Sequence, residues 1–139
     1  MEIKIHAVPV GQDGHRFLRV KSPVTIVHPT GPDSYKQAQV TALWDTGATN
    51  TCIQMKTAVA MGIPLGEPSP LSKIRAVEEQ SRYCQFWMVF PDGTPVFVEE
   101  AMAVPDMRPQ FVIGMDIISR GRTTIEPDGE GGVRFTFSI

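Results

Sequence analysis

Prolines punctuate this chain almost from end to end, 12 of them between Pro9 and Pro127, with 12 glycines among its 139 residues. Proline carries no amide hydrogen and clashes with the preceding helical turn, so no long helix fits between these breaks. Bundles and coiled coils are thereby excluded, and short extended segments joined by turns remain. The side-chain pattern agrees. Ile3, Ile5 and Ala7 alternate with Glu2, Lys4 and His6, and Val133, Phe135, Phe137 and Ile139 alternate with Arg134, Thr136 and Ser138. Further strand-like runs span Phe17–Val27, Gln37–Trp44, Tyr83–Phe90, Val96–Val104 and Gln110–Ile113. Gln12-Asp13-Gly14, Pro91-Asp92-Gly93 and Asp128–Gly132 have the chemistry of tight connections. Only Gln54–Met61 and Met115–Ser119 read as short helices. The expectation is one mostly β domain over residues 1–139, with a closed barrel or orthogonally packed sheets.

Composition narrows the function classes. Hydrophobic residues make up 42% and charged residues 20%, the balance of a chain that buries a core. A formal net charge of -2, with 13 scattered Lys and Arg, offers no basic face for nucleic acid or an anionic membrane. The longest apolar run, Phe86–Phe90, is far below the ~18 residues of a membrane span. Two cysteines, Cys52 and Cys84, are too few for a disulfide scaffold, and the start lacks the basic and apolar regions of a signal peptide. A cytoplasmic location is the resulting expectation. His6, His15 and His28 show no metal-ligand spacing with the cysteines, and no phosphate loop, dinucleotide fingerprint or nucleophile elbow is present. No metal or organic cofactor is expected. Cys52 and Cys84 read as small buried hydrophobes, and Trp44 and Trp87 as core packing.

Two segments carry chemistry. In Ala42-Leu43-Trp44-Asp45-Thr46-Gly47-Ala48-Thr49 an apolar strand runs straight into a carboxylate and a glycine. The ordinary reading is a turn whose acid bonds nearby amides. The chemical reading is a rigidly held Asp45, with Gly47 admitting close backbone approach and Thr46 and Thr49 supplying hydroxyls. In Phe111-Val112-Ile113-Gly114-Met115-Asp116 a second apolar strand ends in glycine and enters a short helix, with Asp116 read as a first-turn acid at its positive end.

Together these segments resemble the retropepsin-like (retroviral-type) aspartic proteases, particularly their small bacterial members. The resemblance rests on Asp45-Thr46-Gly47-Ala48-Thr49 and on Val112-Ile113-Gly114. The helix end at Met61-Gly62-Ile63-Pro64-Leu65 and the closing Val133–Ser138 agree, so it spans roughly Gln37 to Ile139. It implies a homodimeric aspartic endopeptidase of closed-barrel fold, with a flap hairpin and one or two short helices. Asp45 would be the catalytic carboxylate, paired with its counterpart from a second copy. Thr46, Gly47, Ala48 and Thr49 would support it, and Ile113 and Gly114 would brace the site. The candidate flap is Leu71–Phe86, with Arg75, Ala76, Val77 and Glu78 toward the substrate, an extended peptide.

The chain departs from the family pattern in two places. The flap candidate holds no glycine, and Glu78 and Glu79 stand near its tip. Met115 stands where viral members often carry a dimer-securing arginine; the terminal strands Met1–Ala7 and Arg134–Ile139 are then candidates for pairing with a second chain. Two alternatives stay open at the level of sequence. One is a dimeric peptide-binding module of the same fold with weak or no catalysis. The other is a monomeric β-barrel binding domain in which Asp45 is only a turn acid.

Overall fold

The computed structural model of the chain describes residues 2–10, 17–69, 80–129 and 132–139, with the side chains of residues 2–10 and 17–18 excepted. In chain order the elements are β1 (Glu2–Val10), β2 (Phe17–Arg19), β3 (Lys21–Gly31), β4 (Ser34–Trp44), β5 (Cys52–Gln54) and α1 (Met55–Ala60). There follow β6 (Arg82–Val89), β7 (Pro95–Val104), β8 (Phe111–Ile113), α2 (Met115–Ile118), β9 (Arg122–Pro127) and β10 (Val133–Ser138). The mostly β expectation holds. Six strands close a barrel in the order β3-β4-β8-β5-β7-β6, and the other four form a sheet in the order β2-β1-β10-β9.

Alternation sets the inside of the barrel. Ser22, Val24 and Ile26 of β3 and Cys84, Phe86 and Met88 of β6 point inward, and their neighbours point out. On β7 the inward set is Val96 and Val98, then Ala101 and Ala103. The phase slips because Glu99 and Glu100 together oppose the single residue Gln85 of β6, a β-bulge. The barrel is fastened to the sheet by rings. Trp44, at the end of β4, stacks on Phe90 at 5.9 Å and meets Phe135 and Phe137 of β10 at 5.1 Å each. Its Nε1 donates to the Ser22 hydroxyl at 2.9 Å, which satisfies the one polar atom this contact buries. Truncating Phe135 or Phe137, both buried, is expected to cost about 3–5 kcal/mol.

Two expectations are corrected. Trp87 is not core packing: it lies outside the barrel, 41% exposed, because period two turns it away from its buried neighbours Phe86 and Met88. The second concerns the terminal strands: β10 is no edge, since it pairs with β1 on one side, Glu2 opposite Ser138 through Ala7 opposite Val133, and with β9 on the other. β1 meets β2 only through Val8–Val10, so its Glu2–Ala7 stretch has one strand neighbour among the described residues. The run Phe17–Val27 is divided at Val20 between β2 and β3, whose partners are different sheets. Gln12-Asp13-Gly14 lies outside the described residues.

Candidate active site

Asp45 opens the loop between β4 and β5, and the loop is held from the far end of the sequence. β8 runs parallel to β4, pairing Trp44 with Ile113, and antiparallel to β5, pairing Cys52 with Val112. The strand ending in Ile113-Gly114 is thus threaded between the two arms of the Asp45 loop. Four backbone donors tie it there. Asp45 N–H donates to the Ile113 carbonyl at 3.0 Å, Met115 N–H to Ala48 O at 2.8 Å, and Asp116 N–H to Thr49 O at 3.1 Å. Gly114 N–H donates to the Thr51 hydroxyl at 3.2 Å.

Glycine at position 114 is dictated by this crossing. A Cβ there would lie 2.7 Å from the Asn50 carbonyl and 2.9 Å from Ala48 O, inside any real contact distance and against backbone on both sides. Thr51 is fully buried, and its own hydroxyl donates a hydrogen bond to Asp116 Oδ1 at 2.8 Å. Asp116 Oδ2 is also buried and has no hydrogen-bond partner among the described residues. Asp116 is therefore more than a first-turn acid: it is the far end of a relay from Gly114 through Thr51. Asn50 adds a tie to β7, its Nδ2 donating to Glu100 O at 2.8 Å. Sequence reading missed Thr51 and Asn50, whose stretch Thr49-Asn50-Thr51 looks like an ordinary polar loop.

The Asp45 carboxylate is half-buried, and its Oδ1 accepts the Gly47 N–H at 2.8 Å. A Cβ on Gly47 would stand 3.2 Å from that oxygen, so glycine leaves the acid its room. Ala48 N–H closes the turn on Asp45 O at 3.2 Å. Thr46 and Thr49 are exposed, and the Thr46 hydroxyl has no intrachain partner among the described residues. Cys52 stands near both acids. Burial, then the charge of Asp116, then that of Asp45, push its thiol up to about 11, so it stays protonated at neutral pH. Burial and Cys52 push Cys84 up to about 12.

Of the predicted site residues, Asp45, Thr46, Gly47, Ala48, Thr49, Ile113 and Gly114 come together in this crossing. Arg75, Ala76, Val77 and Glu78 lie outside the described residues. The chain on either side of them is paired: Gly66 N–H donates to Tyr83 O, Tyr83 N–H to Glu67 O and Ser69 N–H to Ser81 O, at 2.8–3.0 Å. Among the described residues no group of three or more His, Cys, Asp or Glu could hold a metal ion. None of their helices is long and apolar enough to cross a membrane.

Comparison with solved structures bears on this architecture. A retropepsin-like aspartic protease from Rickettsia conorii matches with a TM-score of 0.58 at 14% identity, over 99% of this chain and 91% of that one. The retroviral protease-like domain of Ddi1 from Leishmania major matches with a TM-score of 0.50 at 17% identity, over 84% of this chain and 93% of that domain. The fold is retropepsin-like. No protein-family model matches the chain, and no curated protein matches it.

Proposed function

We propose that the chain is an aspartic endopeptidase that works as a homodimer, with Asp45 of each copy supplying half of a catalytic pair. Peptide hydrolysis by carboxylates takes two of them sharing one proton. One removes a proton from water as it attacks the scissile carbonyl, and the other donates to the carbonyl oxygen, giving a tetrahedral diol. Like charges in close contact split the titration of such a pair, so one member stays protonated at working pH. This chain holds a single Asp-Thr-Gly, so the second carboxylate comes from a second copy and the site lies on a two-fold axis.

The observation that carries the reading is the crossing at Gly114, which fixes a half-buried Asp45 at the end of β4 by bonds from a strand some 65 residues away. An acid of the turn alone would need none of that. The hydroxyl of exposed Thr46, which has no intrachain partner among the described residues, suits a role in bracing the interface. An extended peptide would bind beside the loop, its side chains alternating into pockets. β10 is enclosed by β1 and β9, so a second copy is offered β9, whose Ile125 is 63% exposed, and the side of β1 along Glu2–Ala7 that β2, paired only with Val8–Val10, does not reach. The same fold without catalysis, a dimeric peptide-binding module, is the second reading, favoured by the absence of glycine between Leu71 and Phe86.

The test is digestion of a diverse peptide mixture, read by mass spectrometry from acidic to neutral pH, with wild type beside Asp45→Asn at several protein concentrations. Cuts that vanish in the variant and fall steeply on dilution are expected. Absence of any Asp45-dependent cut would put the binding module first.

A further inference from the structure

The outer face of the barrel carries a second feature, separate from the Asp45 loop. β3 and β6 pair only through Thr25–Val27 and Trp87–Val89, then diverge. Further along β6, Tyr83 is paired instead to the segment around Gly66 and Glu67. Between these two attachments the surface opens into a groove of about 490 Å³. One wall is His28 and Pro29 of β3, the other Pro64 and Leu65, and Trp87, Phe97 and Tyr83 form the floor. The Trp87 and Phe97 rings are 5.2 Å apart and inclined at 51°, a ridged apolar platform open to solvent. Period two, unbroken from Val96 to Glu99, turns Phe97 and Glu99 to this outer face, and Glu99 lines the groove.

Three observations select the occupant. Both walls bear a proline, Pro29 and Pro64, which bring no amide hydrogen to the opening, so an added β-strand finds no continuous ladder. A polyproline II segment needs no ladder, because its backbone is held by side-chain contacts and single hydrogen bonds and is already ordered before it binds. The Trp87 Nε1, the Tyr83 hydroxyl and the Gln85 amide make no hydrogen bond among the described residues, which leaves donors for the carbonyls of such a segment. Glu99 is the acidic residue of the lining, so a basic side chain beside the prolines is matched in charge. Two arginines reach lining residues, and both are committed to backbone carbonyls, Arg120 to Phe97 O at 2.9 Å and Arg82 to Gly66 O at 3.1 Å; neither lines the groove.

We propose that this groove is a docking site for an extended, proline-rich segment of a partner polypeptide that carries a basic residue next to its prolines. The site's lining takes in Tyr83 to Phe86, one end of the flap candidate, and no residue of the Asp45 loop. It is tested by binding alone.

The full-length Asp45→Asn chain is titrated with a blocked peptide of repeated Pro-Pro-Leu units ending in arginine, and the indole N–H resonances of the two tryptophans are followed by NMR. Trp44 is buried and bonded to Ser22, whereas Trp87 lines the groove, so the Trp87 signal is expected to move and the Trp44 signal to stay. Trp87→Ala is expected to raise Kd at least tenfold. Glu99→Lys is expected to raise it several-fold for the arginine peptide but not for its uncharged counterpart. Retention of the Trp44 signal in each variant verifies that the barrel is intact. An unmoved Trp87 signal, a Kd unchanged by Trp87→Ala, or equal binding of a peptide with its prolines replaced by alanine would each overturn the proposal.

Discussion

Among the described residues three acids close a turn with their own side chain. Asp45 Oδ1 accepts the Gly47 N–H at 2.8 Å, Asp92 Oδ1 the Thr94 N–H at 3.0 Å, and Asp128 Oδ1 the Gly132 N–H at 2.9 Å. Locally they are the same device, a carboxylate satisfying nearby amides. They differ in what surrounds them. The Asp92 and Asp128 turns depend on glycines in the left-handed region, Gly93 at φ 91° and Gly129 at φ 82°, and join strands adjacent in sequence. The Asp45 loop has no positive-φ residue and is held by β8 and α2. A turn needs its own residues; a rigidly placed acid needs distant ones.

The largest expected effect separates the acids themselves. Asp45→Asn should abolish cleavage, at least a thousandfold in kcat/KM, while Asp92→Asn and Asp128→Asn leave it within a few-fold, measured on one peptide substrate. Next come the glycines. Gly114→Ala drives a methyl into the Asn50 and Ala48 carbonyls and is expected to cost about 3 kcal/mol or more, whereas Gly93→Ala, where nothing lies within 4 Å of the new Cβ, should cost about 1 kcal/mol in conformational strain. Urea unfolding of both measures the gap.

The relay behind the loop is a smaller target. Thr51→Val keeps the shape but strips Gly114 N–H and Asp116 of their shared hydroxyl, for an expected loss of about 1–3 kcal/mol in urea unfolding. The smallest effect is on pH. Unfolded thiols release their protons near 9.0, while folded Cys52 and Cys84 hold theirs to about 11 and about 12. Their contribution is fully present below pH 9.0 and is lost as pH rises through the folded values. The urea midpoint should therefore fall between pH 8 and alkaline pH, and less steeply in Cys52→Ala.

What could be read from the sequence follows the same division. Period two, the Asp45-Thr46-Gly47 turn and the Ile113-Gly114 strand end are local patterns, and the structure reproduces the strands they imply. The bond from Thr51 to Asp116 spans 65 residues and leaves no local trace, so Asp116 looked like a helix-end acid. Trp87 was hidden inside the apolar run Phe86–Phe90, where composition suggests core and only strand phase reveals an outward ring. β9, Arg122–Pro127, has one large apolar residue, Ile125, and that one is exposed; it becomes a strand through backbone pairing and the Thr124–Thr136 hydroxyl bond to β10. The pairing of β1 with β10 joins the chain's two ends, which alternation alone does not pair.

The central claim, that two copies each lend one Asp45 to a single site, is tested most directly by mixing. Wild type and Asp45→Asn are combined in equal amounts, allowed to exchange at a total concentration favouring the dimer, and assayed against wild type alone at that same total. If both carboxylates are needed, only pairs of wild-type copies cut, and about a quarter of the activity should remain. About half remaining would mean that each copy works with its own Asp45 alone, and would contradict the shared site.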